Sequence, residues 1–536
     1  MHSLRRTFAI VALALVIAPL VASAPLFDPD EGLHAAIAQE MVQRGDYVTP
    51  TFLGEPFLDK PILFFWAEAA SLRLFGDNET AVRIPPLLFG LAGMLGVGLL
   101  GGSLFGARAG YLSGSVYGTM LLPFGVSQVA VHDIGLIGFM CLAAWCLAAN
   151  SLTETSVRKI LLLSLLAGIC LGLSILTKGL VGVVFVGILG ACLAVYRPSA
   201  LVTVAVTLIV SGVVALLVAA PWYIAMESAH PGYLHYYFVE RHVQGYLTAT
   251  QRHAGRPFWY YVPILLGGTL PWTLYLAGAI QSARGNGLRL VLWAWFAIGL
   301  VFLSAGESKL VTYALPLFPI LAILIGETIS SSAFALRAAA HWLQIAVVGL
   351  LPLAGLLALQ WKYGESHPGL LIALGLLAAL TFEAGRRAQR APSLEAWARW
   401  VGHACLCSVV GMMLVVPRAA AWMTARDLAR AINDRGVLPP RLSILDERIG
   451  SIVFYLAPAL RAEASHERLN ETSFAEAVAR IRVDPDDAIV AVRNEYLSRF
   501  NRLFPTVPVP DARAGTFTIF RTLTLRETLL GMKRPQ

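Results

Sequence analysis

Apolar stretches long enough to cross a bilayer recur about thirteen times before residue 417, by the rule that a spanning helix takes about 20 mostly apolar residues. They lie near 7–26, 84–105, 109–126, 134–150, 160–176, 180–196, 201–221, 258–280, 290–304, 312–328, 340–360, 369–384 and 400–417. Hydrocarbon offers no partner to backbone N–H and C=O groups, so such stretches are required to be helical. Charged residues make up 14% of the chain, against about 25% in soluble domains. Mean hydropathy is +0.67. The expected class is a polytopic all-α membrane protein.

Basic residues set the orientation. With the N-terminus inside, the cytoplasmic connections carry Arg108; Arg158 and Lys159; Arg197; Arg284 and Arg289; Arg337; then Arg386, Arg387, Arg390 and Arg399. The opposite short connections hold at most one lysine each: Lys178, Lys309 and Lys362. This is the positive-inside pattern, so the net charge of +8 is mostly a topology signal. Arginines scattered over separate loops do not build a nucleic-acid-binding face. The N-terminus also imitates a secretory signal, with Arg5, Arg6, an apolar run and Ala22-Ser23-Ala24. A retained first helix and a cleaved one leave the next loop in the same compartment. The six cysteines (Cys141, Cys146, Cys170, Cys192, Cys405 and Cys407) all fall within expected spans without paired CxxC spacing. They read as small packing residues, not as disulfides or zinc ligands.

Three parts follow: a membrane body, residues 1–417; two long outer loops within it, 27–83 and 222–257; and a charged stretch, 418–536, expected to be a small α/β domain. In the last part, residues 421–434 pattern as an amphipathic helix stopped at Gly436, and Ile489–Val492 and Phe517–Phe520 pattern as strands. In the first loop, Asp28 or Asp30 would cap a helix running to about Gly45. A second helix, Ile62 to Phe75, opens after Pro61 and carries Phe64, Phe65 and Trp66, which suit the interface plane. Asp30 and Glu31 stand at the positive end of one helix, Asp59 and Lys60 at that of the other, as a polar pocket would require.

The remaining charges of interest fall on the same outer side. His132-Asp133, Thr177-Lys178-Gly179, and Glu307, Ser308, Lys309 and Tyr313 sit at short connections; Glu240, Arg241, His242, His253 and Arg256 sit in the second long loop. Each alone reads as a snorkelling lysine or a satisfied histidine. Independent snorkelling gives no reason for carboxylates, lysines and histidines to gather on one face. Carboxylates act as bases or hold a divalent cation, while lysines and a metal neutralise a phosphate leaving group. Lipid-phosphate chemistry on the outer leaflet is indicated, with the reaction left open.

The run Asp28–Trp66 (DPDEGLHAAIAQEMVQRGDYVTPTFLGEPFLDKPILFFW) resembles the first outer loop of the ArnT-like aminoarabinose lipid A transferase and protein mannosyltransferase group. LTKG at Leu176–Gly179, PWY at Pro221–Tyr223, GRPFWYYVPILLGGTLPW at Gly255–Trp272 and SKLVTYALPLFP at Ser308–Pro319 match in the same order. The resemblance implies a GT-C fold and dependence on a polyprenyl-phosphate sugar. It implies catalytic roles for Asp30, its neighbour Glu31, and Asp133. Asp59, where most relatives have Glu, and His242 would hold a divalent metal. Lys60, Lys178, Lys309, Tyr313 and Arg256 would bind the donor phosphate. Two positions depart from the family pattern: Gly32-Leu33-His34 replaces the end of a common DEARY, and Gly245 stands where an arginine is common after the loop histidine.

The resulting expectation is a monomeric glycosyltransferase of a bacterial inner membrane, working among membrane lipids with its active site facing the periplasm. It would move a sugar from undecaprenyl phosphate to a lipid A-type lipid or a glycan, with inversion. A protein O-mannosyltransferase-like acceptor stays open. A lipid-linked sugar transporter fits less well, because it predicts discontinuous helices near the bilayer midplane and internal pseudo-repeats, whereas the charges here cluster at one surface.

Overall fold

The structure, a computed structural model, describes all residues except 22–23, 154–155, 249–253, 282–285, 332–337, 365, 391–392, 446–449, 484–487 and 530–536. It divides into two compact units: residues 1–22, 58–67 and 83–415, and residues 23–57, 68–82 and 416–536.

The first unit is helical. Among the described residues, nine helices are long and apolar enough to cross a membrane: Glu79–Phe105, Asp133–Leu152, Val157–Lys178, Pro198–Ala229, Gly287–Ala305, Val311–Ser331, His341–Tyr363, Pro368–Arg390 and Arg399–Trp422. Their apolar character runs all round, as lipid on one side and packed helices on the other require. Val157–Lys178 and Leu201–Ala229 approach closely because Gly168 and Gly172 face Val214 and Val218. Small residues let membrane helices meet in this way.

Two expected spans are interrupted. Residues 109–126 form Ala107–Tyr117 and then Leu121–Val126; residues 258–280 form Tyr261–Gly268 and then Tyr275–Gln281. The breaks satisfy one another. The Leu121 N–H donates to the Leu270 carbonyl at 2.9 Å, and the Trp272 indole N–H donates to Thr119 Oγ1 at 3.0 Å. A run of Gly267, Gly268 and Pro271 disfavours a continuous helix at the second break.

The second unit holds a five-stranded mixed sheet and a short hairpin, β1 (Thr51–Phe52) with β2 (Glu55–Pro56). The sheet contains β3 (Leu442–Leu445), β4 (Leu469–Thr472), β5 (Ile489–Arg493), β6 (Ala512–Ala514) and β7 (Phe517–Arg521) in the order β4-β3-β5-β7-β6. β3 is parallel to β4 and β5, and β7 is antiparallel to β5 and β6. Phe474, Val492, Phe500 and Phe520 centre one core of this unit.

The helix Asp30–Arg44 also belongs here, ending at Gly45 with φ +68. Pro29 is its N-cap and no side chain caps it. Asp28 instead accepts from the backbone N–H of Ser451 at 3.0 Å and from the Ser451 hydroxyl. The helix packs on Gly450–Tyr455. The amphipathic helix expected at 421–434 runs Arg426–Arg435, with Gly436 at φ +68, because the preceding helix extends to Trp422. The turn between them is tied elsewhere. The Met423 carbonyl accepts from Asp28 N–H at 2.8 Å, and the Ala425 N–H donates to Ser451 Oγ at 2.9 Å.

Candidate active site

A cavity of about 430 Å³ in the first unit is lined by Asp59, Lys60, Asp133, Lys178, Arg241 and His242, with Tyr237, Tyr261 and Tyr313 in its wall. Asp133 is the first residue of Asp133–Leu152, and Lys178 is the last of Val157–Lys178. Each therefore sits at the helix end whose dipole favours its charge. The Lys178 ammonium donates to Asp133 Oδ1, and both side chains are largely buried. The same ammonium lies 4.3 Å from the Tyr313 ring centroid.

Asp59 is met from the π-helical segment His235–Gln244. The Tyr236 hydroxyl donates to its Oδ1 at 2.6 Å, and Arg241 Nη2 lies 2.9 Å from its Oδ2. Burial, then the Asp59 carboxylate, push the Tyr236 phenol up to about 12. The His242 ring lies between main-chain groups: Nδ1 is 2.7 Å from the Tyr237 carbonyl oxygen, and the backbone of Lys178 is its other partner. Burial lowers its basicity below the usual range, so the ring is neutral at pH 7. Gly179, at φ +84, permits this approach, since a Cβ there would strike the ring.

Lys60 differs from the other cations. Among the described residues it has no hydrogen-bond or ion-pair partner, although it lines the same cavity. Three cations (Lys60, Lys178 and Arg241) thus face two carboxylates, leaving one positive charge unmatched. Apolar residues such as Leu136, Val184 and Phe302 complete the wall. An apolar cavity with a few convergent charges suits an amphipathic phosphate.

Other expected site residues are placed elsewhere. Lys309 is buried, but its ammonium donates to the carbonyls of Gly306 at 2.5 Å and Arg256 at 3.3 Å, and it is not among the lining residues. Arg256 is exposed, 5.8 Å from the Tyr260 ring centroid. Glu240 lies 3.3 Å from His235 Nδ1 on the exposed side. Asp30 and Glu31 belong to the second unit. Asp30 is exposed at the start of its helix; Glu31 is buried and accepts the Phe27 N–H at 2.8 Å. Beside it Glu68 is fully buried, and burial followed by the Glu31 charge holds its carboxyl well above the usual range. His253, Arg284 and Arg337 lie outside the described residues. Tyr236 was not singled out from sequence and Arg241 had no assigned role. The available signal was the run HYYF at His235–Phe238, two residues before Arg241 and His242.

The Asp59–His242 pair does not fit a divalent ion as it stands. Both Asp59 oxygens are engaged, one of them by a guanidinium, and the His242 ring is held by main-chain groups. Among the described residues, no three His, Cys, Asp or Glu side chains converge as metal ligands would.

Three comparisons bear on this arrangement. The family described as dolichyl-phosphate-mannose-protein mannosyltransferase matches residues 59–224. The undecaprenyl phosphate-α-4-amino-4-deoxy-L-arabinose arabinosyl transferase of Aeromonas salmonicida (strain A449) is 34% identical over 374 residues, which is 66% of this chain and 67% of that protein. That of Pectobacterium atrosepticum is 32% identical over 392 residues, 70% of each chain. The crystal structure of ArnT from Cupriavidus metallidurans bound to undecaprenyl phosphate superposes with a TM-score of 0.74 over 98% of this chain and 99% of that one, at 22% identity, and so shares the fold. By relatives matched across two thirds or more of their length, this chain belongs to the undecaprenyl phosphate-aminoarabinose arabinosyl transferase family.

Proposed function

We propose that the chain moves 4-amino-4-deoxy-L-arabinose from undecaprenyl phosphate to a phosphate of a lipid A-type acceptor on the periplasmic face of a bacterial inner membrane. The observation that carries this reading is the unmatched Lys60 charge beside two neutralised pairs in an apolar-walled cavity. A phosphate oxygen of the acceptor attacks the anomeric carbon, the bond from that carbon to the donor phosphate oxygen breaks, and its electron pair stays on the phosphate. The acceptor phosphate falls from two negative charges to one while the departing undecaprenyl phosphate rises from one to two, so no proton has to move. An ionised phosphate acceptor needs no general base. Lys60, with Lys178 beside it, stabilises the charge that develops on the leaving phosphate. Attack opposite that phosphate inverts the anomeric centre. The resemblance assigns Asp30, Glu31 and Asp133 to the transfer step; Asp133 also holds the Lys178 ammonium.

The topology that goes with this reading has thirteen spans, an inside N-terminus and the C-terminal α/β domain outside. A divalent ion enters only if Arg241 and Tyr236 first leave Asp59, so no step is routed through one. Reconstituting the purified chain in lipid nanodiscs with undecaprenyl-phospho-aminoarabinose and lipid A tests the function. Mass spectrometry should find lipid A heavier by one aminopentose. Sugar found only on protein serine or threonine, or no transfer at all, would refute the assignment.

A further inference from the structure

We propose that Arg241 is a third ligand for the donor phosphate in this chain, and that Asp59 is its counter-ion rather than a metal ligand. This rests on the transferase reading above and specifies how that site manages charge. The geometry is direct. Asp59 Oδ2 lies 2.9 Å from Arg241 Nη2, while Oδ1 accepts the Tyr236 hydroxyl at 2.6 Å. A dication bound to that carboxylate would sit against a fixed guanidinium and be repelled by it. A guanidinium is instead planar, always charged and suited to phosphate. Holding one edge of it on Asp59 fixes the plane of the fork before the donor arrives.

The surrounding backbone agrees. The π-helix bonds each residue to the fifth beyond it, so positions 241 and 245 lie about one turn apart. Gly245 lines the same cavity and offers no side chain. In the family pattern an arginine stands at the place of Gly245; here the guanidinium projects from one turn earlier. Asp59 and Tyr236 are then positioning residues, acting on the phosphate through Arg241. As the bond to the anomeric carbon breaks, the phosphate gains one negative charge, and Arg241 shares its stabilisation with Lys60.

The test uses the full chain in nanodiscs, with undecaprenyl phosphate as the probe and tryptophan fluorescence as the binding readout, before and after dialysis against EDTA. Arg241→Gln should weaken binding about tenfold or more, and Arg241→Lys should recover part of that. Asp59→Asn should raise the donor KM several-fold while changing kcat little. Added to Arg241→Gln, it should cost less than about twofold more, since the two act as one unit. EDTA should change the wild-type affinity by less than about twofold. Unchanged affinity in Arg241→Gln would overturn the proposal. So would binding that EDTA abolishes and MgCl2, MnCl2 or ZnCl2 restores in the wild type but not in Asp59→Asn. Wild-type protein that transfers no sugar sinks the transferase reading; active wild type with an indifferent Arg241→Gln sinks only this inference.

Discussion

Replacing Lys60 with methionine keeps most of the bulk and removes the one cation in the cavity that has no partner among the described residues. The unmatched charge of the site then falls from one to zero, just as the leaving phosphate needs to hold a second negative charge. Two unit charges about 4 Å apart attract by about 4 kcal/mol at an effective dielectric of about 20, before the cost of desolvating the ammonium is subtracted. A charge-assisted hydrogen bond is worth about 1.5–3 kcal/mol net, so kcat/KM for the donor should fall roughly ten- to a hundredfold. The fold should not notice, because no carboxylate is left without its cation: Asp133 keeps Lys178 and Asp59 keeps Arg241. Donor titrations of the two purified proteins under single-turnover conditions, with melting curves alongside, measure both quantities. If kcat/KM stays within about twofold while melting is unchanged, Lys60 takes no part in phosphate stabilisation and the reasoning from unmatched charge is wrong.

Four other outcomes are expected. Asp30→Asn should abolish transfer in purified protein with normal membrane insertion and melting; near-normal turnover would remove the catalytic assignment that resemblance gives it. Gly32→Ala places a Cβ 2.5 Å from Ser451 N and 2.7 Å from Asp28 Oδ1, an overpacking that should cost about 1–3 kcal/mol in thermal unfolding. Because burial holds the His242 ring below its ordinary range, the unfolded chain binds a proton there that the folded chain does not. Stability should therefore decline as pH falls below about 6.5, and His242→Gln should shrink that slope in melting curves taken between pH 7 and 5. A C-terminal alkaline phosphatase fusion should be active, since an inside N-terminus and thirteen spans place that end in the periplasm; an inactive fusion would mean that the number of spans is even.

Nine of the expected spans were legible because lipid imposes a length and an apolar composition on every crossing segment, and among the described residues nine helices meet both demands. The break near Gly118 was not legible, because what steadies it is a carbonyl at Leu270, far along the chain. The break near Thr269 has a local sign in Gly267, Gly268 and Pro271, which apolar length alone does not register. Asp133 and Lys178 were readable as charges at helix ends, whereas their pairing depends on how those two helices pack. Lys309 shows the limit from the other side. The same residue type at the same kind of connection serves two main-chain carbonyls, and only the folded chain distinguishes it from Lys60. The amphipathic period of Asp30–Arg44 announced a helix with a buried face, but a period cannot say what covers that face.

The pairing of Asp28 with Ser451, 423 positions apart, also sets a timetable. At roughly 5–20 residues per second, ribosomal synthesis of the intervening chain takes on the order of 20–80 s. Through that interval the helix that starts at Asp30 has emerged while Ser451 and the segment that receives Asp28 do not yet exist. Ala35, Ala36, Ile37 and Met41, buried in the finished protein, must wait in water or against lipid. The interval in which that face needs shielding therefore ends only once Ser451 has been made. A ribosome stalled before codon 451 would leave the first outer helix still unclaimed, recognisable to a protease as incomplete.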